Sequence, residues 1–335
     1  MISKLLAERV AVITGGSAGL GRATAVAFAK RGAHVAILAR DAARLEDAAR
    51  ELEQYGGRVL ALPVDVSDAD ALEEAADRIE AELGQIDVWV NNAMTTIFAP
   101  IEEITPAEFK RVTDVTYLGY VYGTMAALRR MRRRDRGVIV QVGSALAYRA
   151  IPLQSAYCGA KFAIRGFTDS LRAELIHERS AVRLTMVQMP ALNTPQFDWC
   201  LSRMPREAQP VPPIFQPEVG AEAIVWAATH RRRELYVGGP SLKAIVGNKL
   251  FPSLGDRKAA RAAWSGQMTS EAVHGARPGN LFLPVPGKFG THGRFDRRAR
   301  SRSAELWLTK HRAWFVPLSA LALGAALAGY LERRA

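Results

Sequence analysis

The stretch "VAVITGGSAGLGRATAVAFAKRG", residues 10–32, decides the fold. Its first four residues are apolar on consecutive positions, the pattern of a parallel strand buried on both faces. "TGGSAGLG", residues 14–21, follows at once and opens the helical run "GRATAVAFAKRG". Gly15, Gly19 and Gly21 let the backbone turn tightly there and bring a helix N-terminus close to a ligand. Free amides and the helix dipole at such an end favour an anion, so a pyrophosphate is the expected occupant. A glycine motif alone says little, but one seated between a strand and a helix has the context a dinucleotide site requires.

Outward from this motif, the runs "HVAIL", "RVLALPVDV", "IDVWVNN", "GVIVQVG", "VRLTMVQM" and "ELYVGG" read as six further strands, separated by Ala/Leu/Glu-rich helical stretches. Strands alternating with crossover helices predict an α/β fold, a doubly wound parallel sheet of about seven strands, with ligands beyond the carboxyl ends of the strands. After about residue 245 the pattern breaks. The expected organisation is a nucleotide-binding catalytic domain over 1–248, a poorly structured basic linker with Gly, Pro and Arg over 249–309, and an apolar helix over 310–335.

Composition is that of a globular protein, with 49% hydrophobic and 23% charged residues. The net charge of +12 is uneven: from Phe251 onward there are 14 Lys+Arg against 5 Asp+Glu. Cys158 and Cys200 cannot build a disulfide framework and lack metal-ligand spacing, which points to a reducing compartment. No metal site is expected. The N-terminus enters a strand almost at once, without a signal-peptide pattern, so the catalytic domain is expected in the cytoplasm. The run "RRMRRRDR" from Arg129 reads as a solvated helix C-terminus, and no nucleic-acid partner is expected.

The segment "YCGAK" carries Tyr157 and Lys161, four apart on a predicted helix and hence on one face of it. A nearby ammonium lowers a phenol pKa from about 10 toward the working range, which fits the tyrosine to exchange a proton with a carbonyl or alcohol. With the glycine motif, this pair makes the sequence over about residues 8–245 resemble the short-chain dehydrogenase/reductase family. That family's nucleotide motif is Thr-Gly-x-x-x-Gly-x-Gly.

The resemblance implies a Rossmann-type oxidoreductase that moves a hydride between a nicotinamide and a carbonyl or alcohol carbon. Tyr157 would transfer the proton, Lys161 would also hold the nicotinamide ribose, and Ser144, thirteen residues before Tyr157, would orient the substrate. Thr14, Gly15, Ser17, Gly19, Leu20 and Gly21 would hold the cofactor, together with Asp65 and Val66 of "VDV", Asn92 of "NNAM", and Pro190 and Thr194 of "MPALNTP". Met94 stands where the family has glycine. Thr116 stands where the family often has an asparagine that holds a relay water to the lysine, and is a candidate for an altered relay. At the end of the second strand, Ala39 occupies the place of the acid that binds an NAD ribose and Arg40 follows, so NADP(H) is the preferred cofactor and NAD(H) the alternative. Family members form dimers or tetramers, and a homo-oligomer is expected.

Residues 196–216 mix Phe197, Trp199, Met204 and Phe215 with several prolines and read as a substrate lid, suggesting an apolar substrate. Near the C-terminus, "AWFVPLSALALGAALAGYL", residues 313–331, carries no charge. Nineteen helical residues span about 28 Å, close to the roughly 30 Å hydrocarbon core, so a single transmembrane anchor is expected. Arg294, Arg297, Arg298, Arg300 and Arg302 would then lie near an anionic membrane surface. The rival readings are a low-activity NADP(H)-binding scaffold or sensor, and a basic nucleic-acid-binding protein.

Overall fold

The structure, a computed structural model, describes residues 6–312 except 274, 276 and 277. β1 (Val10–Thr14) leads through α1 (Gly19–Ala29) to β2 (His34–Ala39), then through α2 (Ala42–Glu53) to β3 (Val59–Pro63). The chain returns by α3 (Ala69–Leu83) to β4 (Ile86–Asn91). It continues through α4 (Pro106–Thr113), a π-helical turn Asp114–Leu118 and α5 (Gly119–Arg133) to β5 (Val138–Ser144). α6 (Ser155–His177), β6 (Arg183–Met189), α7 (Pro217–Thr229) and β7 (Glu234–Tyr236) complete the unit.

The seven strands form one parallel sheet in the order β7-β6-β5-β4-β1-β2-β3. Consecutive strand residues face opposite layers. Ala11 and Ile13 of β1 pack with α1, α2 and α7, whereas Val10 and Val12 pack with α3, α5 and α6. Both faces are therefore apolar, which is why the strands read as unbroken hydrophobic runs rather than alternating ones. The order reverses between β1 and β4, and the crevice beyond their carboxyl ends is where the glycine loop lies.

Residues 249–309 are not the unstructured linker that their aperiodic sequence suggests. Two helices, α8 (Gly239–Leu250) and α9 (Pro252–Lys258), follow β7. Met268–Ala272 pairs antiparallel with Arg206–Ala208, and Ala299–Arg300 pairs parallel with Ile214–Phe215. Leu281 and Phe295 are buried, Phe295 against Phe197. This segment is held by short backbone pairings and isolated apolar plugs, neither of which leaves a period in the sequence. Its arginines are partly spent inside the molecule: Arg294 pairs with Glu207 and Asp198, and Arg298 donates to Gln209 Oε1 at 2.8 Å. Arg130, in the run expected to be solvated, is buried and bonded to Glu73 and Asp77.

Residues 304–312 are helical, with Leu306 in the core between sheet and helices. The apolar stretch 313–331, expected as an anchor, lies outside the described residues. No helix among the described residues is long and apolar enough to cross a membrane.

Candidate active site

The glycine loop is bolted to β4. Thr14 Oγ1 accepts from the Asn92 and Ala93 amides at 2.9 and 3.1 Å, while Asn92 Nδ2 donates to Thr14 O at 2.9 Å and Gly15 O at 3.3 Å. Gly15 has φ +67, a conformation that side chains disfavour. At Gly21 the requirement is close approach: a Cβ there would meet Gly15 O at 2.0 Å. No side chain caps the N-terminus of α1, whose first amide, Gly19 N–H, donates to the Gly290 carbonyl, and Ser17, Gly19 and Leu20 line the cleft. This cradle fits a pyrophosphate.

Further residues expected at the nucleotide line the same cleft of about 970 Å³: Gly15, Gly21, Arg40, Asp65, Val66, Asn92, Pro190 and Thr194, with Met94 beside them. Asp65 is committed to Ser67, at 2.8 Å from its hydroxyl, and to Arg111. Burial raises its pKa, but the bonds from Arg111 and Ser67 outweigh this and hold it below the usual carboxylate range. Asp41 caps α2 by accepting from Arg44 N at 3.0 Å and pairs with the Arg44 guanidinium, so it is engaged away from a ribose.

Arg40 donates to three backbone carbonyls, Asn280 at 2.6 Å, Phe282 at 2.8 Å and Leu281 at 3.3 Å. These carbonyls belong to a strap over residues 279–293 that sequence reading missed. The Gly290 carbonyl accepts from Gly19 N–H at 3.0 Å, Arg44 donates to Val285 O at 3.0 Å, and Arg111 to Leu281 O at 3.1 Å. Trp199 meets Phe289 edge to face with ring centroids 4.7 Å apart. The strap thus forms an outer wall of the nucleotide end. Only its glycines hinted at this: a Cβ on Gly293 would meet Thr194 O at 2.5 Å.

At the inner end, β5 finishes with Ser144 and α6 brings up Tyr157; both line the cleft, with the Ser144 hydroxyl near enough to pull on the phenol. Ser144 Oγ accepts from Leu146 N at 3.1 Å, which fixes its rotamer. Lys161 makes no hydrogen bond to the phenol. Its Nζ donates to Val142 O at 2.8 Å and to Tyr120 OH at 3.0 Å, and lies 5.6 Å from the Tyr157 ring centroid. Burial therefore dominates: it pushes the Tyr157 phenol up, with the Ser144 hydroxyl pulling the other way, and drops Lys161 from the usual lysine value to about 7.

Thr116 is not placed as a relay. Its hydroxyl donates to Thr95 O at 2.8 Å and accepts from Thr95 N at 3.0 Å, so it ties the π-helical turn to the loop after β4. Tyr120, one turn later and fully buried, is the residue that reaches Lys161, while donating to Val142 O at 3.0 Å. Nothing in the spacing marked Tyr120, because the contact depends on how the π-helical turn rotates α5.

The buried lysine gives a stability prediction. In the unfolded chain Lys161 holds its proton up to about pH 10.4, whereas in the fold it holds it only up to about 7. Between these values the unfolded chain binds more protons, so native stability rises with pH. Below about 7 the fold bears the whole cost of a buried ammonium. Lys161→Met, which leaves the Tyr120 to Val142 bond intact, is expected to melt a few degrees higher than the native chain at or below pH 7. The gain should shrink as pH climbs toward 10. Calorimetry across this range checks it; a constant difference at every pH would overturn it.

A glycine-cradled nucleotide cleft with Ser144, Tyr157 and Lys161 at its inner end has the form of a Rossmann-type oxidoreductase. The family model for short chain dehydrogenases matches residues 9–199, and the chain belongs to that family. It is 34% identical over 279 residues to an uncharacterised oxidoreductase of Bacillus subtilis, covering 83% of this chain and 77% of that one. A fatty acyl-CoA reductase of Acinetobacter baylyi is 29% identical over 261 residues, 73% of this chain and 86% of that one. Among solved structures, an alcohol dehydrogenase of Thermococcus sibiricus complexed with 5-hydroxy-NADP superposes with TM-score 0.60 at 30% identity, covering 68% of this chain and 95% of that one. The chain is thus an oxidoreductase with a nicotinamide cofactor.

Proposed function

We propose that the protein is an NADP(H)-preferring oxidoreductase that interconverts a carbonyl and an alcohol on a lipophilic small molecule. The observation that carries this reading is the Ser144–Tyr157 pair at the inner end of a cleft whose other walls are largely apolar, among them Leu146, Ile151, Val211, Phe251 and Leu254. The nicotinamide supplies the hydride chemistry when bound. In reduction the Tyr157 hydroxyl would deliver its proton to the substrate oxygen, Ser144 would donate a second hydrogen bond to that oxygen, and Lys161, held by Val142 O and Tyr120, would be the residue to hold the ribose. Thr14 and Asn92 keep the glycine loop in register.

NADP(H) is favoured by the charge around Ala39. Arg40 meets only neutral carbonyls, Arg44 and Arg111 lie close by, and the nearest acids, Asp41 and Asp65, are paired with arginines. A 2′-phosphate would meet uncompensated positive charge, whereas a bare 2′-hydroxyl finds no free carboxylate. The substrate class is supported by the apolar walls and by the likeness to a fatty acyl-CoA reductase. Two cysteines, both buried, suit a cytoplasmic catalytic domain, and the uncharged stretch 313–331 suits attachment to a membrane. A homo-oligomer remains the expected assembly.

The test is oxidation of NADPH and NADH by the full chain with a panel of long-chain and ring-bearing aldehydes and ketones. Turnover with NADPH, favouring the more apolar members, is the expected result. Tight NADPH binding without turnover of any member would favour the low-activity scaffold instead, a reading to which the Lys161–Tyr120 contact lends support.

A further inference from the structure

The helices that follow the sheet carry an exposed apolar face. Leu242, Val246, Leu250, Phe251, Leu254 and Trp264 are each between 41% and 65% exposed, although they fall within one short stretch of chain. On α8, Leu242, Val246 and Leu250 recur every four residues, one position on from the buried Ser241 and Ile245, and form an exposed stripe beside the buried one. Isolated exposed apolar side chains need no explanation, but six on adjoining turns mark a binding surface.

The same stretch carries five cations, Lys243, Lys249, Arg257, Lys258 and Arg261, all exposed. Its one acid, Asp256, is paired with Arg149 at 2.7 Å. We propose that this face, α8 with α9 and the turn to Trp264, docks the enzyme on an anionic phospholipid surface, with the mouth of the active-site cleft opening onto the lipid. Phe251, Leu254 and Lys258 line the same cleft as Tyr157, so the docking face and the entrance are continuous.

The charge selects the occupant. A second copy of this chain brings its own +12 and repels the five cations. The uncharged segment 313–331, folded back on the face, would cover the apolar side chains and leave the cations without partners. A layer of anionic headgroups over acyl chains satisfies both, with apolar side chains entering the interface and Lys and Arg at headgroup level. Trp264 has the amphipathic ring that such a boundary favours. The cleft's role as an active site rests on the reductase reading; the docking does not, and its test requires no turnover.

The full chain carrying Leu250→Cys is labelled with a polarity-sensitive fluorophore; the two native cysteines are buried. A second label at Arg78→Cys, an exposed position of α3, is the control. Vesicles of phosphatidylcholine containing phosphatidylglycerol are expected to shift the emission at position 250 to the blue and leave position 78 unchanged. Salt should reverse the shift, and Lys243→Glu/Lys249→Glu/Lys258→Glu should weaken it by roughly tenfold or more in vesicle concentration.

Four results would overturn the proposal. If the protein pellets with vesicles while position 250 stays water-like, the membrane contact lies elsewhere, as with an anchor at 313–331. An equal shift on pure phosphatidylcholine would leave the cations without a role. A blue emission without vesicles that is lost on dilution identifies a second copy, and one that survives dilution identifies the chain's own tail.

Discussion

Tyr157→Phe is expected to lower kcat for carbonyl reduction by about 10³-fold, with little change in NADPH affinity. Phenylalanine keeps the ring and its packing on α6 and removes only the hydroxyl that faces Ser144. The pKa direction adds a second expectation. Because burial pushes the phenol above its ordinary value, it stays protonated through the neutral range, the form that donates to a developing alkoxide. Reduction should therefore be nearly flat in pH around neutrality. Alcohol oxidation needs the tyrosinate as base, so it should climb as pH rises. Initial rates in both directions, for native and variant chains, decide this. A variant that keeps reductase activity would remove Tyr157 from the proton path, and oxidation faster at low pH would contradict the burial argument.

The sheet was legible because its strands are buried on both faces and so print unbroken apolar runs; all seven runs read from the sequence are strands in the structure. The inner end of the site was legible where function depends on side chains at fixed spacing. The end of β5 and one face of α6 bring Ser144 and Tyr157 together as their positions in sequence suggest. Two parts were hidden for physical reasons. Lys161 turns toward Tyr120 and Val142, a choice made by burial and by the π-helical turn rather than by the spacing of Tyr157 and Lys161. The strap over the nucleotide end grips Arg40 through the carbonyls of residues 280–282, and carbonyls belong to every residue alike, so no letter announces them. Arg40 itself was visible; what holds it was not.

Gly21→Ala should be the most damaging small change at the nucleotide end. The added Cβ would lie 2.0 Å from Gly15 O and 2.6 Å from Asn92 Nδ2, and the first of these is backbone that cannot swing away. Relief requires α1 to withdraw from the loop, which separates the helix N-terminus from the turn that Thr14 and Asn92 hold against β4. Losing a hydrogen bond from an amide to a charged phosphate costs about 1.5–3 kcal/mol, roughly ten- to a hundredfold in affinity, and overpacking costs about 1–3 kcal/mol in stability. Both losses are expected together, measured by NADPH titration and by urea unfolding. Gly56→Ala separates the steric cause from backbone strain: it has φ +82 but open space around a Cβ, and lies far along the chain from the loop. That variant should lose some stability and keep its cofactor affinity. Equal NADPH affinity in Gly21→Ala and the native chain would show that the close approach of α1 to Gly15 is not what seats the nucleotide.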